Sequence, residues 1–243
     1  NVWCAAGKGT FGTGELVRRD LSGGLARVVK HRRLILPILG AAGVSSHQVA
    51  ARYGFSVSYA AIRARDLPAY LDGGMKTTPA MQEMTFSLCE RLVLIPVEVV
   101  LSLKTILMIS GILLLLGSLA GGIGTGLTLA AAVAGAALCG IIAGPLLLPW
   151  LPSRSFAIKG AITGIAWVAA FRAIAGGVDW SLLVTSAAFL ALPAISAYYT
   201  LNFTGCTTFT SRSGVKKELH LGLPAMGIAL LLGAVLLVLG TLV

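Results

Sequence analysis

The stretch TILMISGILLLLGSLAGGIGTGLTLAAAVAGAALCGIIAGPLLLPWLPS, residues 105–153, contains no charged side chain. A helix rises about 1.5 Å per residue and a membrane span needs roughly 20 apolar residues, so this stretch is long enough for two spans. The glycines between residues 121 and 126 are typical of a turn. The sequence therefore predicts a pair of membrane helices at residues 105–121 and 127–149.

Three further apolar stretches follow, near residues 157–176, 181–200 and 223–243, and they bring the predicted count to five. The composition is consistent with a membrane protein, since 56% of the residues are hydrophobic, only 12% are charged, and the mean hydropathy is +0.89. A soluble domain is usually about one quarter charged. We therefore expect an all-α membrane domain of five transmembrane helices over residues 92–243, in contact with the lipid bilayer.

The net charge of +10 is more consistent with membrane topology than with nucleic-acid binding. The basic residues form no stripe with interleaved aromatic residues, so we expect no nucleic acid as a partner. In the five-helix arrangement, the loops on one side carry Arg154, Lys159, Arg212, Lys216 and Lys217. The turns on the other side, at residues 121–126 and 176–180, carry no Lys or Arg. The positive-inside rule then predicts a multi-pass protein of the cytoplasmic (inner) membrane, with a cytoplasmic N-terminal domain and the C-terminus outside.

Residues 1–91 hold twelve of the nineteen Lys and Arg residues and have the pattern of a small α/β domain. An apolar run at residues 33–39 predicts a buried strand, and alternation at residues 55–62 predicts a second one. Between them, Ser45 and Ser46 are suited to cap a helix that Gly54 would end. A short helix is expected at residues 67–71. The order strand, helix, strand indicates a parallel sheet, and we expect its earlier strands in a part of the protein that precedes residue 1.

The first fourteen residues, NVWCAAGKGTFGTG, allow three interpretations. A Walker A phosphate loop is excluded because Val2 and Gly9 stand where glycine and Ser or Thr are required. A dinucleotide fingerprint, G-x-G-x-x-G, fits residues 7–12. The acidic residue that should follow about 20 positions later is absent from residues 30–33.

The third interpretation is a metal-ligating helix. A thiolate at Cys4 would be stabilised by a helix N-terminus and by the nearby Lys8. The three small residues that follow Cys4 would present a bare surface, and Trp3 could supply an aromatic wall, which suits the axial face of a tetrapyrrole-like metal macrocycle. A buried free cysteine in a packed turn is the alternative, and these residues alone leave both open.

The octet NVWCAAGK resembles the signature of the mercury-methylating corrinoid proteins, membrane-bound relatives of the large subunit of the corrinoid iron–sulfur protein. The stretch NFTGCTTFTSRSGVKKE, residues 202–218, is similar to that family as well. The resemblance implies a partial Rossmann-like corrinoid-binding α/β domain followed by five transmembrane helices. It implies that Cys4 is the catalytic residue and the lower axial ligand of cobalt. It also implies that the corrin is lined by Asn1, Val2, Trp3, Cys4, Ala5, Ala6, Gly7 and Lys8.

The activity implied by this resemblance is corrinoid-dependent methyl transfer to inorganic Hg(II), giving methylmercury through methyl-cobalt(III). A thiolate ligand would favour passing the methyl group on as a carbanion equivalent or a radical, and the sequence does not choose between them. No two of the four cysteines are spaced C-x-x-C, so no iron–sulfur cluster is encoded here. The electrons must therefore come from another protein. The resemblance implies that this partner is a ferredoxin with two [4Fe–4S] clusters and that a methyl-folate-dependent enzyme is the methyl donor.

Two other functions stay open from the sequence. One is a membrane-anchored corrinoid methyl carrier with a different acceptor, and the other is a transporter with a vestigial domain. Residues 202–218 are interpreted either as a solvated loop that contacts anionic lipid or as a docking surface for the corrinoid domain or the ferredoxin. In the second case Cys206 could receive Hg(II). Cys89 and Cys139 are predicted to be packing residues.

Overall fold

The computed structural model describes residue 6 and residues 10–176, 179–206 and 212–242. The chain divides into two compact units, Asn1–Thr85 and Phe86–Val243. The division lies a few residues before the predicted boundary at residues 91 and 92, because Ser87 and Glu90 form a capping box that starts a long helix at Leu88. The protein is mostly helical, with one small sheet and several long apolar helices.

The first unit contains two strands that pair in parallel. It comprises the elements α1 (Thr13–Ser22), α2 (Leu25–Val28), β1 (Arg33–Pro37), a 3₁₀ turn (Ile38–Ala42), α3 (Ser46–Tyr53), β2 (Ser56–Ala60), a second 3₁₀ turn (Ala64–Asp66), α4 (Leu67–Asp72) and α5 (Pro79–Gln82). Strands β1 and β2 pair in register from Arg33 opposite Ser56 to Pro37 opposite Ala60. The predicted parallel strand–helix–strand order is confirmed.

Local signals in the sequence set the ends of these elements. The Ser45 hydroxyl accepts a hydrogen bond from the Gln48 amide, 3.4 Å away, and so caps α3. Gly54 ends the helix with a φ of 76°, a left-handed conformation that glycine adopts without strain. Strand β1 stops at Pro37, two residues earlier than predicted, because the chain then winds into the 3₁₀ turn Ile38–Ala42.

The core of the first unit lies between the sheet and the helices. Val44, Val49 and Phe55 are buried there, and the Tyr53 ring stacks on Phe55 with centroids 4.7 Å apart. The Arg32 guanidinium carbon lies 5.2 Å from the centroid of the Phe55 ring, a favourable cation–π geometry. The core therefore joins the loop after β1, the helix α3 and the start of β2.

The second unit begins with α6 (Leu88–Leu146), which folds back on itself. Gly121 and Gly122 have non-helical backbone angles, and Gly122 has a φ of 83°. A Cβ built on Gly117 would lie 2.8 Å from the Gly126 Cα. In a continuous helix these two residues would be about 13.5 Å apart. Helix α6 is therefore a hairpin, with one arm at residues 88–120 and a second arm at residues 123–146.

Three more helices complete the second unit: α7 (Phe156–Ile174), α8 (Leu182–Asn202) and α9 (Arg212–Leu242), with a 3₁₀ turn at Phe203–Cys206. Small residues allow close approach of these helices. A Cβ on Gly160 would lie 2.6 Å from the Ala197 Cα, and one on Gly164 would lie 2.6 Å from the Pro193 Cα. This use of glycine is typical of helices that associate within a bilayer.

Four helices in the described part of the chain are long and apolar enough to cross a membrane: α6, α7, α8 and α9. The chain is a membrane protein on this evidence. The prediction of five spans counts the two arms of the α6 hairpin separately, and the number of crossings stays a prediction. The first arm begins at Leu88, well before residue 105, and continues through Pro96. Helix α9 begins at Arg212, well before residue 223, and continues through Pro224.

Candidate functional site

Ala6 is the part of the candidate corrinoid-binding octet that the structure describes. It is helical and buried, with 5% of its surface exposed. The predicted cobalt ligand Cys4 lies outside the described residues, as do the other predicted lining residues Asn1, Val2, Trp3, Ala5, Gly7 and Lys8. The environment of Ala6 therefore defines where the octet joins the first unit.

Ala6 lies against the loop that follows β1. A Cβ built on Gly43 would lie 2.9 Å from the Ala6 Cα and 2.3 Å from the Phe11 carbonyl oxygen. A Cβ on Gly40 would lie 2.7 Å from Cε1 of the Phe11 ring. Gly43 is thus the position where the backbone of the N-terminal segment leaves no room for a side chain, whereas the group nearest to Gly40 is the Phe11 ring.

Hydrogen bonds attach the next part of the chain to the same loop. The Thr13 amide donates to the Gly43 carbonyl at 3.2 Å. The Ser45 amide donates to the Thr13 hydroxyl at 2.9 Å. The Tyr59 hydroxyl, from β2, donates to the Val44 carbonyl. The start of α1, the loop and both strands therefore form one connected structure around the position of Ala6.

This structure lies at the carboxyl ends of the parallel strands, where open α/β sheets bind their ligands. The loop in question contains Gly40-Ala41-Ala42-Gly43, and the two alanines are exposed. The side chains that it presents are therefore no larger than methyl groups. Sequence reasoning missed this loop, although two glycines that enclose two alanines are a signal for close approach of another surface.

Two carboxylates on α1 have shifted pKa values of opposite sign. Hydrogen bonds from the Arg19 and Arg18 guanidinium groups lower the pKa of Glu15, and the Arg19 Nε lies 2.6 Å from Glu15 Oε1. Partial burial raises the pKa of Asp20, whose Oδ2 is buried without a hydrogen-bond partner among the described residues. Both groups belong to the scaffold of α1, outside the predicted lining residues.

The described residues contain no group of three or more His, Cys, Asp or Glu side chains that could hold a metal ion. Cys139 is partly buried, and its thiol donates to the Thr163 carbonyl at 3.3 Å, as expected for a packing residue. Cys89 is exposed at the start of α6, so its predicted packing role is wrong. The side chain of Cys206 lies outside the described residues.

The predicted docking segment, residues 202–218, is partly helical. It contains the end of α8, the 3₁₀ turn Phe203–Cys206 and the first turns of α9, while residues 207–211 lie outside the described part. The Glu218 carboxylate accepts hydrogen bonds from the Ser155 hydroxyl at 3.1 Å and from the Phe156 and Ala157 amides at 2.7 and 3.2 Å. Glu218 therefore caps the N-terminus of α7 from a neighbouring helix.

Two buried cations occupy the same end of the second unit. The Arg91 guanidinium is 4% exposed and donates to the Pro145 carbonyl at 3.3 Å. The Lys159 ammonium is 7% exposed and donates to the Leu148 carbonyl. Carbonyls at the end of a helix lack partners within it, so cations there are favourable. Sequence analysis placed Lys159 in a loop, whereas it lies in the first turn of α7 and bonds to carbonyl oxygen.

Comparison with known proteins gives no relative for this chain. The chain matches no protein-family model, no curated protein and no solved structure.

Proposed function

We propose that the chain is a membrane-anchored, corrinoid-dependent methyltransferase that transfers a methyl group to inorganic Hg(II) and produces methylmercury. The observation that carries the proposal is the octet at residues 1–8, whose residue Ala6 is buried against Gly43 at the carboxyl ends of two parallel strands. A ligand held there would lie at the carboxyl ends of the strands, which is where α/β sheets bind cofactors.

The described residues fit a broad, flat cofactor. The exposed Ala41 and Ala42 belong to the loop that Ala6 contacts, and their side chains are single methyl groups that would let a flat ring approach the backbone. Cys4, two positions before Ala6, would hold the corrinoid by its thiolate. The corrinoid, when bound, supplies the cobalt that carries the methyl group. Lys8 would favour the thiolate form of Cys4, which is the form that binds metal.

The larger α/β domain implied by the octet would extend the two-stranded parallel sheet into a Rossmann-like corrinoid-binding domain. In this proposal β1 and β2 are its last strands. Gly40 and Gly43 allow Phe11 and Ala6 to contact the loop after β1.

The proposed location is the cytoplasmic membrane, with the first unit in the cytoplasm and the C-terminus outside. Five crossings give this arrangement when the arms of the α6 hairpin are counted separately. The charge distribution supports it, because Arg91, Arg154, Lys159 and Lys217 occupy one end of the second unit, together with Glu218. That end would face the cytoplasm under the positive-inside rule.

The proposal requires partners for electrons and methyl groups. A ferredoxin with two [4Fe–4S] clusters would supply low-potential electrons, and a methyl-folate-dependent enzyme would supply the methyl group. Residues 202–218 would form the docking surface for one of these proteins or for the corrinoid domain. Because Glu218 caps α7, the surface available for docking is limited to the part of the segment before it.

The test is substitution of Cys4 in the protein as its host cell makes it, with isotopically labelled Hg(II) as substrate. Cys4→Ala should abolish both labelled methylmercury and the absorption of the thiolate-bound corrinoid. Cys4→Thr should retain corrinoid but lose methylmercury formation. Cys139→Ser is the matched control and should keep both, because its thiol contacts only the Thr163 carbonyl among the described hydrogen bonds.

The outcomes distinguish the proposed activity from the alternative activities. Wild-type methylmercury formation by Cys4→Ala would refute the ligand role. Corrinoid binding without methylmercury formation by the wild type would favour a methyl carrier with another acceptor, and a screen of thiol and metal acceptors would then identify it.

A further inference from the structure

A crevice in the second unit is not used by the proposed reaction. It has a volume of about 800 Å³ and lies among α7, α8 and α9. Helix α8 packs against both of its neighbours, while α7 and α9 meet mainly where Glu218 caps α7. The crevice is thus a groove between α7 and α9 with α8 as its floor, and its volume is typical of ligand sites.

The body of the groove is apolar, and several of the side chains that line it are small. Pro193, Ala194 and Ala197 of α8 are buried along its floor. Ala161 of α7 and Ala229 of α9 stand at its sides. Methyl groups at these positions leave a channel that a flexible hydrocarbon chain can fill, where it would pack closely against the helices.

One end of the groove is cationic. Arg154 and Lys217 line this end, and both side chains are exposed. Glu218 lies beside them, but its carboxylate is already bonded to Ser155, Phe156 and Ala157 at the start of α7. Within the described residues neither Arg154 nor Lys217 forms an ion pair. The groove is therefore lined at this end by two positive charges that form no ion pair within the described residues.

We propose that this groove is a binding site for an anionic phospholipid. The phosphate lies between Arg154 and Lys217, and one acyl chain lies along the alanine-lined floor. The ligand must be apolar along its length and anionic at one end, which matches this lipid class in both respects. A second copy of the chain or an apolar peptide would bury the two cations without a partner, which is costly. A soluble anion would leave the apolar floor uncovered.

The test measures lipid binding to the full chain by native mass spectrometry, with equimolar phosphatidylglycerol and phosphatidylcholine. The wild type should retain phosphatidylglycerol preferentially. A basic side chain near an anionic headgroup contributes about 1 kcal/mol, which corresponds to about a fivefold change in affinity. Arg154→Gln and Lys217→Gln should each lower phosphatidylglycerol retention by about this factor.

Matched controls separate the groove from general surface charge. Lys216→Gln removes an adjacent exposed charge that does not line the groove, and its effect should be smaller than that of Lys217→Gln. Ala161→Leu fills the channel and should weaken retention, whereas Ala169→Leu, at an exposed position on the same helix, should not.

Three results would overturn the proposal. Equal retention of the two lipids would show that headgroup charge does not determine binding. Equal effects of Lys216→Gln and Lys217→Gln would show that the lipid does not bind in the groove. A dimer whose fraction falls in Ala161→Leu would show that a second copy, instead of lipid, occupies the channel.

Discussion

Substitution of Gly43 by alanine tests whether the loop after β1 holds the N-terminal segment. The new Cβ would lie 2.3 Å from the Phe11 carbonyl oxygen and 2.9 Å from the Ala6 Cα. Both are backbone atoms, so no side-chain rotation can relieve the overlap, and the segment must move away from the loop. Overpacking of this kind costs about 1–3 kcal/mol.

The expected signal appears at the Thr13 amide, because its hydrogen bond to the Gly43 carbonyl at 3.2 Å spans the disturbed contact. A cost of about 1–3 kcal/mol corresponds to roughly 5- to 140-fold faster hydrogen exchange. Exchange measured by mass spectrometry on the full chain in detergent would report it. If the segment also positions the octet, corrinoid affinity should fall by a factor in the same range.

Gly14→Ala is the control, since Gly14 lies in α1 and an added Cβ there meets nothing within 4 Å. A helix interior prefers alanine to glycine by about 1 kcal/mol, so this variant should not accelerate exchange. Unchanged Thr13 exchange in Gly43→Ala would refute the close contact itself. Faster exchange with unchanged corrinoid affinity would keep the contact and separate it from cofactor binding.

Two further predictions concern charged groups. Glu218→Ala should lower the free energy of unfolding of the second unit by about 1–3 kcal/mol, because a charged acceptor for three donors at the start of α7 is lost. Thermal unfolding in detergent measures this, with Lys216→Gln at an exposed position of the same helix as the control, and equal losses in the two variants would contradict the capping role. Burial raises the pKa of Asp20, so the contribution of its protonated form to stability is present at low pH and is lost as pH rises through the raised pKa. Asp20→Asn should therefore stabilise α1 at neutral pH and make no difference at about pH 3, below the ordinary pKa of aspartate. Amide exchange of Thr13–Ser22 at the two pH values measures this. Equal effects of the substitution at both pH values would contradict the prediction.

The fold of the first unit could be predicted where its signals are local. Ser45 and Gly54 mark both ends of α3, and the alternation at residues 55–62 marks β2, so the parallel strand–helix–strand order follows from neighbours in sequence. The approach of Ala6 to Gly43 could not be predicted. It joins residues far apart in the chain, and small residues give no periodic pattern that identifies their partner.

The helix ends of the second unit were less predictable for a similar reason. The absence of charged residues placed the start of the first membrane helix near residue 105, yet the helix begins at Leu88 and passes through Pro96. Proline is tolerated where neighbouring groups satisfy the freed carbonyl. The partner of Arg91 is 54 residues away, at the Pro145 carbonyl, so its burial depends on the hairpin turn at Gly121 and Gly122.

The two buried cations bear on how topology is inferred from this sequence. Arg91 and Lys159 each donate to carbonyls near the end of α6, so they are held by the helices and do not face lipid headgroups. Their charge still counts toward the positive-inside bias, because insertion is decided before these contacts form. In the folded protein, however, Arg154 and Lys217 at the groove are exposed and available to headgroups. In our proposal the same end of the helical unit uses one pair of cations to join its helices and a second pair to contact anionic lipid.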